Sequence, residues 1–299
     1  MSIGGGYMQS IRQIYKIGPG PSSSHTFGPM MAAKYMLEQY PQAMQFDVSL
    51  FGSLALTGKG HLTDKIIEKT FHPIPCTIHF DIKKEVDHPN TMIITAYGKQ
   101  EVIGQHTFVS IGGGKIEIDG KKNADEPDIY TLTTMDAIQA YCHQHHIRLD
   151  QYIDQVEGLE FDKYMHKIFS QMLKTVNTGL KRTGVLPGSL KIERIAHALY
   201  QSAHSCDDPQ DTNSLLASYA YAANEQNASG GIVVTAPTMG SCGVLPSLVY
   251  HFYHDLKYPK QTILQGLKVA GLIGDLVQTN ATISGAKAGC QAEVGAACA

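Results

Sequence analysis

Asp119-Gly120-Lys121-Lys122-Asn123-Ala124-Asp125-Glu126-Pro127-Asp128 (DGKKNADEPD) is the stretch on which the chain divides. It is polar and rich in turn formers, and it offers neither the period of a helix nor the alternation of a strand, so it reads as an interdomain linker. On its N-terminal side apolar residues alternate: Phe46, Val48 and Leu50 lie in Gln45–Leu54, with further strand-like runs at Thr77–Ile82, Met92–Tyr97 and Val102–Ser110. Helical spacing of Met31, Ala32, Tyr35 and Met36 marks a helix over Pro29–Tyr40, and a second starts at Asp64. On the C-terminal side strand signals fade, and helical patterns run through Thr133–His146, Glu160–Leu180, Lys191–Ser205, Thr212–Glu225, Leu245–Leu256 and Thr262–Gln278. The expectation is an α+β N-terminal domain over residues 1–125, a small mixed sheet with helices, followed by a mostly α-helical domain over 126–299.

Composition narrows the function classes. Hydrophobic residues at 43% and charged residues at 17% exclude a disordered chain. A net charge of -3, with no basic cluster longer than Lys121-Lys122, gives no electrostatic reason to expect nucleic acid. No window is apolar enough to span a membrane, and Met1–Tyr7 lacks the regions of a signal peptide, so a cytoplasmic protein is expected. The six cysteines (Cys76, Cys142, Cys206, Cys242, Cys290 and Cys298) include no CxxC pair, so a metal would need ligands gathered from distant positions.

Four segments carry chemistry. The first is Gly18-Pro19-Gly20-Pro21-Ser22-Ser23-Ser24-His25-Thr26, just ahead of a helix. Consecutive hydroxyls and unpaired amides at a helix start favour an anion such as a carboxylate; an ordinary serine N-cap is the plainer reading. The second is Gly52-Ser53-Leu54-Ala55-Leu56-Thr57-Gly58-Lys59-Gly60-His61-Leu62-Thr63-Asp64, which leaves a strand and enters a helix. Histidine titrates in the range a general base needs, which singles out His61, although Lys59 is equally a reactive group and Thr63 or Asp64 a helix cap. The third runs from Asn224 to Gly231 and on through Thr235-Ala236-Pro237-Thr238-Met239-Gly240-Ser241-Cys242-Gly243, glycine- and hydroxyl-rich enough for a backbone to approach a ligand, or else a tight helix connection. The fourth is Asn280–Gly295, where Cys290 sits at the entry to a helix, a position that favours a thiolate.

In this order, over nearly the whole chain, GPSSSHT, GSLALTGKGHLTD, TAPTMGSCG and SGAKAGCQAEVG resemble the iron–sulfur L-serine dehydratases in which both domains lie on one polypeptide. Tyr97, Ser110–Gly114 and Gly184–Gly188 match as well. The resemblance implies a lyase that converts L-serine to pyruvate and ammonia with a [4Fe–4S] cluster as Lewis acid, in amino-acid catabolism. It implies His61 as catalytic base and Cys290 as a cluster ligand, with Ser22, Ser23, Ser24, His25 and Thr26 as the substrate loop and Lys59, Thr63, Thr238 and Ser241 as further substrate contacts. Cys242, Ser284 and Glu293 fall in strings around the site. The two other cluster cysteines of the family lie downstream of the segment matching Cys290, so the sequence is expected to be C-terminally truncated, and Met1–Tyr7 to be a start-site extension. L-serine is the expected partner, without nucleic acid or membrane, and a homodimer is one assembly open to the chain. Two other readings stand beside this one: a pyridoxal phosphate dehydratase with its phosphate at Ser229–Gly243, and a non-catalytic binding module of the same fold.

Overall fold

The computed structural model describes residues 7–99, 101–122, 128–188, 190–205, 212–281, 283 and 290–299. Contacts group the chain into Pro19–Asp125 and, separately, Met1–Gly18 with Glu126–Ala299. The segment before Gly18, expected in the first domain, therefore belongs to the helical unit. Its apolar residues have nowhere else to go: Met8, Ile11, Ile14 and Tyr15 are buried in the core built around Phe161, Met165 and Ile168. Hydrogen bonds hold it there. The Ser10 hydroxyl and the Ile11 N–H each donate to Glu157 at 2.7 Å, and the Tyr15 hydroxyl donates to the Leu267 carbonyl at 2.9 Å. Burial pushes the Glu157 carboxyl up, while the donors from Ser10, Ile11 and Tyr130 pull it back. The segment ends in strand β1 (Ile17–Pro19).

In the α/β unit a π-turn, Ser23–Phe27, runs into helix α1 (Gly28–Gln39). Then come β2 (Gln45–Phe51), α2 (Gly52–Thr57), α3 (Thr63–Phe71), β3 (Cys76–Asp81), β4 (Thr91–Tyr97), β5 (Val102–Gly112), β6 (Lys115–Ile118) and β7 (Lys121–Lys122). The six strands form one sheet in the order β3-β2-β4-β5-β6-β7, with β2 and β3 parallel and the other pairs antiparallel. The alternation seen in the sequence sets the register: Phe46, Val48 and Leu50 share one face with Ile94, Ala96 and Phe108, under Ala32, Ala33 and Met36 of α1 and Phe71 of α3. Phe46 and Phe71 stack at 4.0 Å. The expected linker is shorter than its composition suggests, because Lys121–Lys122 continues the sheet; residues 123–127 lie outside the described residues.

The helical unit contains α4 (Met135–His145), α5 (Leu149–Glu157), α6 (Glu160–Leu180), α7 (Ala196–Ser205), α8 (Thr212–Ala228), strand β8 (Ile232–Val234), α9 (Val244–Tyr250), α10 (Lys260–Asn280) and α11 (Cys290–Cys298). One face of α6 carries Phe161, Met165, Ile168, Phe169 and Met172 into the core with Leu264, Leu267 and Leu272 of α10. Farther along α6, Val176 and Leu180 pack with Tyr219, Ala222 and Ala223 of α8. Lys268 is buried among these apolar residues, and its charge is met by Asp154 at 2.5 Å and Asp162 at 2.6 Å. The helix expected from Lys191 starts at Ala196. The residues before it form a small hairpin instead, in which Leu186 N–H donates to Ile192 O and Arg194 N–H to Gly184 O, both at 2.8 Å. Among the described residues, no helix is long and apolar enough to cross a membrane.

Candidate active site

The α/β unit folds its two sequence motifs against each other. Ser22 stands in extended conformation (φ -133°, ψ 134°) and caps the π-turn, its hydroxyl accepting the His25 N–H at 3.1 Å. The turn is wide because the Phe27 N–H reaches back to the Ser22 carbonyl at 2.9 Å. The second motif leaves β2 at Gly52, whose φ of +53° and approach to the Pro89 carbonyl, 2.6 Å from where a Cβ would stand, allow no side chain. It re-enters a helix at Leu62 in the left-handed region (φ 57°) without a side-chain cap. Thr63, expected as a cap, turns its hydroxyl to the His25 carbonyl at 2.5 Å, while the Thr26 hydroxyl donates to the His61 carbonyl at 2.7 Å.

The two imidazoles face one another, centroids 4.6 Å apart and planes tilted by 35°. His61 Nδ1 lies 3.0 Å from the Thr57 carbonyl oxygen. A carbonyl only accepts, so Nδ1 carries the hydrogen, and neutral His61 keeps its lone pair on Nε2. His25 has hydroxyls at both nitrogens, Ser24 Oγ on Nδ1 and Ser53 Oγ on Nε2, each at 2.9 Å. Burial, and then the neighbouring charge of His61, lower its pKa to about 4 against a smaller opposing pull from Ser53. Near neutral pH His25 is therefore uncharged. Lys59, read as a possible reactive group, is exposed and holds its ammonium 5.3 Å from the Phe80 ring centroid.

Thr238 and Ser241 belong to the helical unit. Both are buried. The Ser241 hydroxyl donates to the Ala236 carbonyl at 2.9 Å, and the Thr238 hydroxyl donates to the Glu293 carboxylate. Their O–H groups thus donate within the helical unit, beside the cis Ala236-Pro237 peptide. The stretch read as a glycine-rich cradle includes strand β8, and protein groups come close to two of its glycines: a Cβ on Gly240 would meet Glu293 Oε2 at 2.3 Å, and one on Gly243 would meet Asn224 Nδ2 at 2.6 Å. Cys242 is fully buried, its thiol pushed up to about 12 and set 3.8 Å from Asn224 Oδ1, which makes it an inert packing group. Behind the turn, Arg194 and Glu225 form a buried ion pair at 3.7 Å; Glu225 accepts the Ile195 N–H at 2.6 Å and the Ala196 N–H at 3.0 Å, and Arg194 donates to the Ser229 hydroxyl. Nothing in the sequence near Arg194 announced this pair.

Cys290 opens α11, as its position after a glycine-rich stretch implied; its side chain and residues 284–289 lie outside the described residues. Among the described residues no three histidines, cysteines or carboxylates gather as a metal site requires, so these side chains alone do not make up a cluster's ligand set.

The structure brings Ser22, Ser24, His25, Thr26, His61 and Thr63 together, and sequence reading missed Ser53 and the Thr57 carbonyl that complete the group. Ser23 lies in the same π-turn, buried. The serine dehydratase beta chain family model matches residues 10–74 and the alpha chain model residues 77–299, so the two meet between α3 and β3, inside the six-stranded sheet. L-serine dehydratase 1 of Escherichia coli is 35% identical across 97% of this chain and 76% of that protein. L-serine dehydratases of Helicobacter pylori and Streptomyces coelicolor are 34% and 31% identical across 96% and 97% of this chain, in each case over 76% of the relative. On these matches the chain belongs to the serine dehydratase family of lyases.

Proposed function

We propose that the chain converts L-serine to pyruvate and ammonia, with His61 as the base. The observation that carries this reading is the fixed tautomer: Nδ1–H is tied to the Thr57 carbonyl, which leaves Nε2 as the proton acceptor beside a loop of serine hydroxyls. The loop Ser22–Thr26 opens the helical run toward α1, where hydroxyls and the positive end of the helix favour the substrate carboxylate. Nε2 takes the α-proton, the Cα–H electrons form the Cα=Cβ bond, and the Cβ–O bond breaks as hydroxide leaves with its electron pair. The resulting 2-aminoacrylate becomes the imine, and water hydrolyses it to pyruvate and ammonia. Because His25 is neutral, the imidazolium that forms on His61 meets no second positive ring.

A [4Fe–4S] cluster supplies, when bound, a Lewis acid for the leaving hydroxyl, and Cys290 is the residue proposed to hold it. Thr238 and Ser241 shape the turn around Pro237, and Lys59 is left to solvent and the Phe80 ring. Pyruvate production from L-serine, followed by a coupled hydride-transfer assay after anaerobic reconstitution, tests the reading. His61→Gln should lower kcat by about 100- to 10,000-fold while the visible spectrum of the reconstituted protein stays as in the parent. Near-normal turnover by that variant would remove His61 as the base.

A further inference from the structure

We propose that Thr26 and Thr63 are positioning residues for His61, a pair of crossed ties that fix the base against the substrate loop; this rests on the reading of His61 given above. Each threonine sits in one motif and holds the backbone of the histidine in the other: Thr26 Oγ1 donates to the His61 carbonyl at 2.7 Å, and Thr63 Oγ1 donates to the His25 carbonyl at 2.5 Å. Both threonines are buried, at 1% and 0% exposure, so neither hydroxyl has water as an alternative partner. Thr26 Oγ1 also accepts the Ser22 N–H at 3.2 Å, which places a single hydroxyl between the cap of the π-turn and the backbone of the base. A hydroxyl bonded on both sides is polarised and so holds each partner more firmly.

The geometry leaves a task for these ties. The turn Gly58–Leu62 is anchored at its near end by α2, and at its far end Leu62 is in a left-handed conformation with no side-chain cap. The Nδ1–H bond to Thr57 fixes the plane of the His61 ring relative to its own turn but does nothing to fix that turn relative to the π-turn. The threonine ties do so, together with the contact between the two rings and the bond between His25 Nε2 and Ser53 Oγ, and of these the Thr26 tie alone bonds the His61 backbone directly among the described residues. Base efficiency falls steeply when the acceptor nitrogen drifts from the α-proton, so the ties act on the proton-transfer step rather than on carboxylate binding.

The test compares Thr26→Val and Thr63→Val, which lose the hydroxyl, with Thr26→Ser and Thr63→Ser, which keep it, and with Thr70→Val in α3, whose hydroxyl donates to the Ile66 carbonyl of its own helix at 2.6 Å. Two readouts are taken on the full chain: ¹⁵N imidazole spectra of His61, assigned by the His61→Gln difference, and kcat and KM with L-serine and α-deuterated L-serine after reconstitution. Expected are a kcat lower by about 10- to 100-fold with a larger isotope effect and little change in KM in the valine variants, an altered His61 nitrogen pattern in the same proteins, and parent-like behaviour in the serine variants and Thr70→Val. Parent-like His61 spectra and kcat in both valine variants overturn the proposal. Should the valine variants fail to fold, the serine variants decide it: a fall in kcat as large as tenfold with the hydroxyl retained would mean that the methyl group matters instead. The spectra stand without turnover, so a chain with no activity at all would sink the proposed reaction and leave the positioning question answered by the nitrogen pattern.

Discussion

Acid should loosen the α/β unit through His25. Its pKa falls from 6.5 to about 4 in the folded chain, chiefly because the ring is withdrawn from water and next because His61 lies 4.6 Å away. The unfolded chain therefore takes up a proton first. The associated stability is whole above pH 6.5 and is lost as pH falls through the window down to about 4. At about 1.36 kcal/mol per pH unit the full gap is worth about 3 kcal/mol, of which about 2 kcal/mol is gone by pH 5. The ring is only half-buried, and solvent screening trims the loss at pH 5 to about 1 kcal/mol. Urea unfolding of the parent and of His25→Asn, each at pH 7.5 and pH 5, measures this contribution together with its coupling to His61. The parent should lose about 1 kcal/mol more than the variant between the two conditions. Equal losses in the two proteins, or a His25 ring that titrates near 6.5 by NMR in the folded chain, would refute the argument.

Gly179→Ala tests helix packing against helix propensity: alanine should favour an isolated α6 by about 1 kcal/mol, but its Cβ would stand 2.2 Å from the Ala222 carbonyl oxygen, backbone that has no rotamer to escape into. The urea midpoint should drop by an amount equivalent to about 1–3 kcal/mol, and a midpoint unchanged or raised would mean that α6 and α8 are not packed as described. Native alkylation at pH 8 should label exposed Cys298 and spare Cys242, whose thiol is buried and pushed up to about 12; peptide mass spectrometry showing equal labelling of the two would contradict the burial of Cys242.

The strands of the α/β unit were legible because half of each strand faces a core: Phe46, Val48 and Leu50 alternate in the sequence for the same reason that they are buried in the sheet. Helix α5 was not, since its start depends on Arg148 and Gln151, whose backbone and side chain meet at 2.9 Å only once the turn has formed. In the site, the run of hydroxyls and a histidine between glycines drew the eye to Ser22–Thr26 and His61. The duties of Ser53, Thr57 and Thr63 were out of reach, because each is defined by a partner and not by its neighbours in sequence: Thr63 looked like a cap and became a tie to a residue 38 positions away. The glycines at 240 and 243 are ambiguous in sequence, for the absence of a side chain says that something comes close without saying what, and the structure places Glu293 and Asn224 there.

The π-turn at Ser23–Phe27 turns the length of the serine run into a constraint of its own. Such a turn is in effect an α-helix with one residue too many, and each helical residue rotates the chain by about 100°. Dropping a single serine from Ser22-Ser23-Ser24 would let the segment relax to ordinary helix, swinging His25 by about 100° around the axis and out of its stack with His61. Counting thus outranks chemistry at this spot: the segment should tolerate the exchange of one hydroxyl for another small side chain more readily than the loss of any residue, and families of such sequences would show substitutions there but no gaps.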